Sequence, residues 1–310
     1  MAISVPLVLE QTLNGLQYGV MLFLMAAGLT LVFGIMNLVN LAHGSLYMVG
    51  AYLATAFAGW SGSFVLGVAL ALPATLLVGV VVEVIALRTL YERDHLDQVL
   101  ATFGLILFFN ELIAVVWGRA AVYTTIPPFL SGQIRVLPGV PYPTYRAGVI
   151  LVGVVVAVAL WVLVTRTRLG MLIRAGASNR TMVSALGVNI RLLYTLVFGL
   201  GAALAGLAGA MAGPIYAVQP GMGEAILIQV FVVIVIGGIG SIRGAMVGAV
   251  VVGMADTLGR AFLKPMLATV ISPPAADKAG PALASMLIYL LMAAVLFFRS
   301  EGLFPARGRS

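Results

Sequence analysis

From Gln11 to Ile35 the chain contains no charged side chain, and comparable uncharged apolar runs recur to its end. A bilayer core about 30 Å thick is crossed by roughly 20 helical residues. Each such run is therefore a candidate crossing. Only 9% of the residues are charged and 62% are hydrophobic, where a soluble domain carries about 25% charge. Too little charge remains to coat a water-facing surface, so lipid is the expected outer solvent. The runs are continuous and rich in Leu, Ala, Val and Gly rather than alternating, which favours helices over a closed barrel.

The expected fold is all-α: one polytopic transmembrane helical bundle of about eight or nine spans, covering residues 1–310 as a single domain. The runs are Gln11–Ile35, Gly44–Ala58, Phe64–Leu87, Val99–Trp117, Ala147–Thr165, Leu192–Tyr216, Ala225–Ile236, Ala245–Leu258 and Ala282–Phe298. A connection rich in Pro and Tyr, Gly118–Tyr145, precedes the fifth. The start of the chain lacks the charged flank of a signal peptide, so the first run is read as retained.

Lys and Arg bias sets orientation. If the loop after the third run is cytoplasmic, that side holds Arg88, Arg93, Arg166, Arg168, Arg174, Arg180, Arg191, Arg243, Arg299, Arg307 and Arg309. The other side holds Arg119, Arg135, Arg146, Arg260, Lys264 and Lys278. The balance is eleven to six, and the total is the 17 of the composition. With nine crossings the N-terminus lies outside and the C-terminus in the cytoplasm. With eight, one short run is re-entrant.

Two stretches interrupt the helical pattern, Gly34–Ser45 and Ile236–Ala245. Glycine is costly inside a helix. Broken backbone within a membrane is tolerated against protein or a water-filled cavity, and paired breaks mark transport pathways. The two units point the same way in a nine-crossing reading, which suggests a possible internal repeat of parallel type. The alternative is that each is a tight turn at the membrane surface. Small residues at four-residue intervals, such as Gly201, Ala205, Gly209 and Gly213, allow close helix packing.

Polar residues within apolar runs are functional candidates. Asn37, Asn40 and His43 are spaced by three and would share one helix face. With Ser45 and Gln229 they are the candidate lining of a solute pathway, or they hold the broken segment together. Glu111, beside Asn110, is either a proton-coupling group or a paired structural carboxylate. Glu83 is expected to reach the membrane surface. Asp256 and Arg260, four apart, are expected to pair. Glu224 borders the seventh run.

Several chemistries lack their residues. There is no cysteine, and the only histidines are His43 and His95. No nucleophile elbow or phosphate-binding loop occurs, so no catalytic site, metal site or bound cofactor is expected, and any ATP must be bound by other subunits. The expected role is passage of a small solute, with a self-sufficient carrier or channel using Glu111 as one form of it. A scaffold or intramembrane enzyme is the other class.

The basic loop 166–191 has the makings of a short amphipathic helix. Ser178 offers an N-cap, Met182, Val183 and Leu186 an apolar stripe, and Gly187 a stop. Arg174, Asn179 and Arg180 supply polar contacts. Such a helix suits docking to a soluble partner, or contact with anionic lipid.

In order along the chain, Leu13–Gly19, Gly28–Gly34 into Asn40–Gly44, Ala101–Leu105, Arg174–Asn189 and Gly237–Gly244 resemble the LivH type of branched-chain amino acid permease, the membrane subunit of ATP-binding cassette importers. The resemblance implies a second related permease, two ATP-binding subunits and a periplasmic solute-binding protein, in a bacterial inner membrane. It implies that 166–191 is the coupling segment. Many such importers carry Glu-Ala-Ala before the Gly, where this chain has Thr181-Met182-Val183. Urea, short amides and aromatic acids are solutes of similar permeases beside branched-chain amino acids.

Overall fold

A computed structural model describes residues 4–137 and 140–304. Eleven α-helices are present among them. They are α1 (Val5–Met36), α2 (His43–Ser61), α3 (Phe64–Val82), α4 (His95–Trp117), α5 (Thr144–Arg166), α6 (Arg168–Ser178), α7 (Arg180–Ala185), α8 (Ile190–Ala212), α9 (Met222–Gly237), α10 (Ile242–Leu267) and α11 (Pro273–Phe298). Helices dominate because lipid offers the backbone no hydrogen bonds, and an α-helix satisfies its own. Seven helical stretches are long and apolar enough to span a bilayer, among them Phe64–Leu90, which continues α3 through a π-helical and a 3-10 turn. The connection before α5 folds into a hairpin of β1 (Gln133–Leu137) and β2 (Val140–Pro143).

The core is built around α1, which is buried almost without interruption from Gly19 to Val32. Glycine lets neighbours reach its backbone. A methyl group at Gly19 would meet the Ala249 carbonyl at 2.8 Å, and one at Gly28 the Gly201 carbonyl at 2.7 Å. α10 runs antiparallel to α1, because Gly15 lies against Met254 and Gly34 against Gly240.

These contacts sort the helix ends onto two faces. On one lie the end of α1, the start of α8 and the helices α6 and α7, with Gly176 packed on Ile35 and Arg88 bonded to Thr195 at 2.9 Å. The C-terminal segment joins this face through Leu303 N–H to Ile236 O and Phe304 N–H to Gly237 O, both 2.9 Å. On the other lie the start of α1, the hairpin and the junction of α10 with α11, where Lys264 meets Asp277 at 2.9 Å.

Two helices begin inside the protein. α1 ends at Asn37, whose φ of 53° is left-handed and whose N–H bonds Phe33 O at 3.0 Å. Residues 37–42 then turn back along α1. His43 opens α2 with Nε2 3.2 Å from Met25 O, about 16 Å above the end of α1 at 1.5 Å per residue. From the opposite face, residues 213–221 return below the end of α8. Val218 pairs with Val122, and Tyr52 donates to Val218 O at 3.5 Å. α9 starts where Gly223 lies backbone to backbone against Gly44. From this meeting point α2 and α9 run to opposite faces.

The repeat is therefore inverted rather than parallel. α1–α4 and α8–α11 traverse the bundle in opposite senses, with α1 on α10 matching α8 on α3, and α2 on α4 matching α9 on α11. The true partner of the first break is 213–221. The second expected break, Ile236–Ala245, is a surface turn between α9 and α10, where Ser241 Oγ caps α10 by accepting from Gly244 N–H at 3.1 Å. Expected boundaries also move: α8 ends at Ala212, short of Tyr216. α10 and α11 extend well beyond Ala245–Leu258 and Ala282–Phe298, because Asp256, Arg260, Lys264 and Asp277 pair with one another and do not end the helices.

Candidate functional site

A cleft of about 770 Å³ opens on the face opposite α6 and α7. Its polar side chains come from helical spacings. Gln11, Asn14 and Tyr18 lie on one face of α1, Gln229 lies on α9, and Asp256 and Arg260 lie on one face of α10. Arg146, near the start of α5, and Tyr216, from the returning segment, complete the ring.

Asp256 is 6% exposed, and its two carboxylate oxygens accept from Arg260 Nε and Nη2, each at 2.9 Å. Arg146 Nη1 donates to Asn14 Oδ1 at 2.5 Å, and Asn14 Nδ2 donates to Gln11 Oε1 at 3.2 Å. No carboxylate lies within ion-pair distance of Arg146 among the described residues. Deeper, the Tyr18 hydroxyl donates to Gln229 Oε1, beside Tyr47. Ala217, Met222, Ala225, Ile226 and Ala261 give apolar wall. The cleft thus offers two guanidiniums, one carboxylate, several amides and an apolar surface. Such a set is chemically suited to a small solute carrying charge of both signs beside an apolar group.

Of the residues expected to line a pathway, Gln229 stands on this cleft. Asn37, Asn40 and His43 do not share a helix face, since the first two lie in the non-helical return and only His43 is helical. Asn37 is exposed at the end of α1. Asn40 is fully buried and turns its Oδ1 to the Ala42 N–H at 3.0 Å. His43 is fully buried against α1. Ser45 lies in a separate small space with Asn110, Gly223 and the exposed Glu224. The cleft residues Asn14, Gln17 and Tyr18 sit within the stretch Leu13–Gly19 that carried the family resemblance, a signal that went unused for the site. Arg146 gave none.

Glu111 lies away from the cleft, exposed, in an ion pair with Arg119 at 2.8 Å. Glu83 does not reach the surface. It is fully buried and accepts from Arg88, from the Tyr91 hydroxyl at 2.8 Å and from the Thr195 hydroxyl at 2.7 Å. Burial, the hydrogen bond to Glu83 and its charge push the Tyr91 phenol well above its ordinary value. Among the described residues no three potential metal ligands cluster.

On the opposite face the basic loop forms two helices rather than one. Thr167 caps α6 by accepting from Gly170 N–H at 3.1 Å. Asn179, not Ser178, caps α7 by accepting from Met182 N–H at 2.9 Å, because Ser178 is the last residue of α6. Gly187 ends the unit with φ at +84°, which glycine tolerates. The expected apolar stripe divides. Val183 is buried, whereas Met182 and Leu186 are 62% and 78% exposed, flanked by exposed Arg174 and Arg180.

Residues 11–296 match the family model described as branched-chain amino acid transport system / permease component. The chain is 32% identical over 310 residues to the high-affinity branched-chain amino acid transport system permease protein BraD of Pseudomonas aeruginosa, covering 95% of each chain. It is 31% identical to the corresponding LivH protein of Salmonella typhimurium, covering 85% of this chain and 90% of that one. It is 27% identical to the ribose import permease protein RbsC of Escherichia coli, covering 74% and 71%. No solved structure matches the chain. Seven candidate spans, two half-helices meeting inside the bundle and a match over nearly the whole length agree: this chain belongs to the family of permease components of branched-chain amino acid transport systems.

Proposed function

We propose that the chain is one of two permeases in an ATP-driven importer of branched-chain amino acids, and that the cleft is its share of the solute pathway. The observation that carries this reading is the cleft's charge pattern. A zwitterion with an aliphatic side chain needs a cation for its carboxylate, an anion or hydroxyl for its ammonium and apolar wall for the rest. Arg146, Asp256 with Tyr216, and Met222 with Ile226 supply these in one space. Relatives named for branched-chain amino acid transport point to the same solute.

The cleft faces the periplasm in this reading and receives solute from a binding protein. The α6–α7 face is cytoplasmic and docks an ATP-binding subunit, which supplies the only ATP site. Without Arg307 and Arg309, which lie outside the described residues, nine of the eleven basic residues assigned to that face remain, against six opposite. Closure of the ATPase pair would push on α6–α7, and through Gly176 and Ile35 on the inner end of α1. The first expected pathway residues take a different part: Asn40 and His43 hold the return segment, and Gln229 with Tyr18 closes the cleft floor.

The test is leucine uptake by the assembled importer, carrying Arg146→Gln or Asp256→Asn. Each is expected to lower uptake about tenfold or more, since a lost charge-assisted bond is worth roughly 1.5–3 kcal/mol. Unchanged uptake in both variants would remove the cleft from the pathway.

A further inference from the structure

A carboxylate stands exposed where lipid would otherwise lie. Glu224, in the first turn of α9, is exposed, and its Oε1 accepts from Asn110 Nδ2 at 2.6 Å. Asn110 is seven residues before Trp117, the last residue of α4, so it lies about 10 Å inside that helix end at 1.5 Å per residue. Asn110 Oδ1 also accepts from Gly221 N–H at 3.2 Å, which ties the start of α9 to this depth. Glu224 has no basic partner within ion-pair distance among the described residues. A charged group at such a depth faces protein or water rather than hydrocarbon.

The stripe continues along α9 through exposed Ala225 and Ile228, the latter 53% exposed. Ala225 also lines the cleft. The stripe therefore borders the cleft through Ala225, and a polar cleft with a bare edge inside the bilayer would meet acyl chains. By contrast, the exposed stripe of α5, through Leu151, Val155 and Val158, carries no polar group and is fit for lipid.

We infer that the Glu224–Ala225–Ile228 face of α9, with Asn110 of α4, is the seam against the second permease. The partner at this seam presents a hydrogen-bond donor to Glu224. Two copies meeting on this stripe would bring carboxylate toward carboxylate with no basic residue between them. The inference rests on the two-permease reading above.

The test places the photoreactive residue p-benzoylphenylalanine at Ile228, and separately at Val155 as control, in membranes holding the assembled importer with its other permease tagged. The seam requires an adduct with the tagged permease from position 228 and none from 155. An uptake-competent variant that gives no permease adduct from 228, or gives one with a second copy of this chain, overturns it. A second readout is co-purification. Glu224→Leu is expected to lower recovery of the other permease at least twofold, whereas a lipid-facing carboxylate replaced by leucine would leave recovery unchanged or raise it. Uptake that proceeds without this chain would overturn the two-permease reading itself, an outcome distinct from either failure of the seam.

Discussion

Glu83 shows how a single residue can be costly and still well placed. Three side chains converge on it from two elements and the turn beyond, and the π-helical turn Glu83–Leu87 marks the point where the α3 ladder gives way. Such turns recur at functional sites. Removing one partner of a buried ion pair strands the other. Glu83→Ala is accordingly expected to destabilise the chain by about 3 kcal/mol, with Arg88 partly rehydrated because its side chain is 35% exposed. Glu83→Gln keeps an acceptor for Tyr91 and Thr195 and should lose less. Thermal aggregation of the detergent-purified protein measures both, and equal losses would show that charge alone matters there. The sequence placed Glu83 near a helix end, where a lone carboxylate commonly reaches water. It concealed Thr195, 112 positions away, which with Tyr91 and Arg88 makes burial tolerable.

At the scale of elements, α7 and its C-cap expose an apolar pair and bury its neighbour. Val183 turns inward while Met182 and Leu186, one helical turn apart, face out between arginines. Met182→Asp with Leu186→Asp should leave the chain inserted and folded but abolish co-purification of the ATP-binding subunit and uptake with it. Val183→Asp should instead lower the yield of folded chain, as an unpaired buried carboxylate must. If all three changes merely reduce yield, the pair belongs to the fold and not to a docking face. Asn179→Ala removes the α7 cap, worth about 1 kcal/mol, and should weaken docking without abolishing it. The sequence exposed this segment readily, since its arginines and Gly187 stand out against apolar surroundings. It misassigned the cap because Ser178 and Asn179 are both good capping residues, and only the end of α6 decides between them.

For the whole molecule, hydrophobicity alone marked all nine helices that enter the bundle, because each apolar run is interrupted by polar or glycine-rich residues. Their pairing was harder to read. The return segment Gly213–Gly221 holds Pro214 and Pro220, yet its apolar Ile215, Tyr216 and Val218 blend into the end of α8. Pairing by glycine content therefore chose the wrong partner for the first break. The cleft was similarly dispersed, with Asn14, Arg146 and Asp256 on three elements distant in sequence. Inversion has a consequence for orientation: seven spans and two half-helices that leave by opposite faces place the start of α1 and the end of α11 on opposite faces. The absence of native cysteine allows a direct test with single thiols. In intact cells whose outer membrane admits the reagent, Ser131→Cys and Ser272→Cys, exposed on the cleft face, should react with a membrane-impermeant maleimide. Ser178→Cys and Ser300→Cys, exposed on the α6–α7 face, should react only after the inner membrane is opened. The reverse pattern would turn the molecule over and put the cleft in the cytoplasm. A mixed pattern within either pair would break the assignment of helix ends to faces, and the inverted repeat with it.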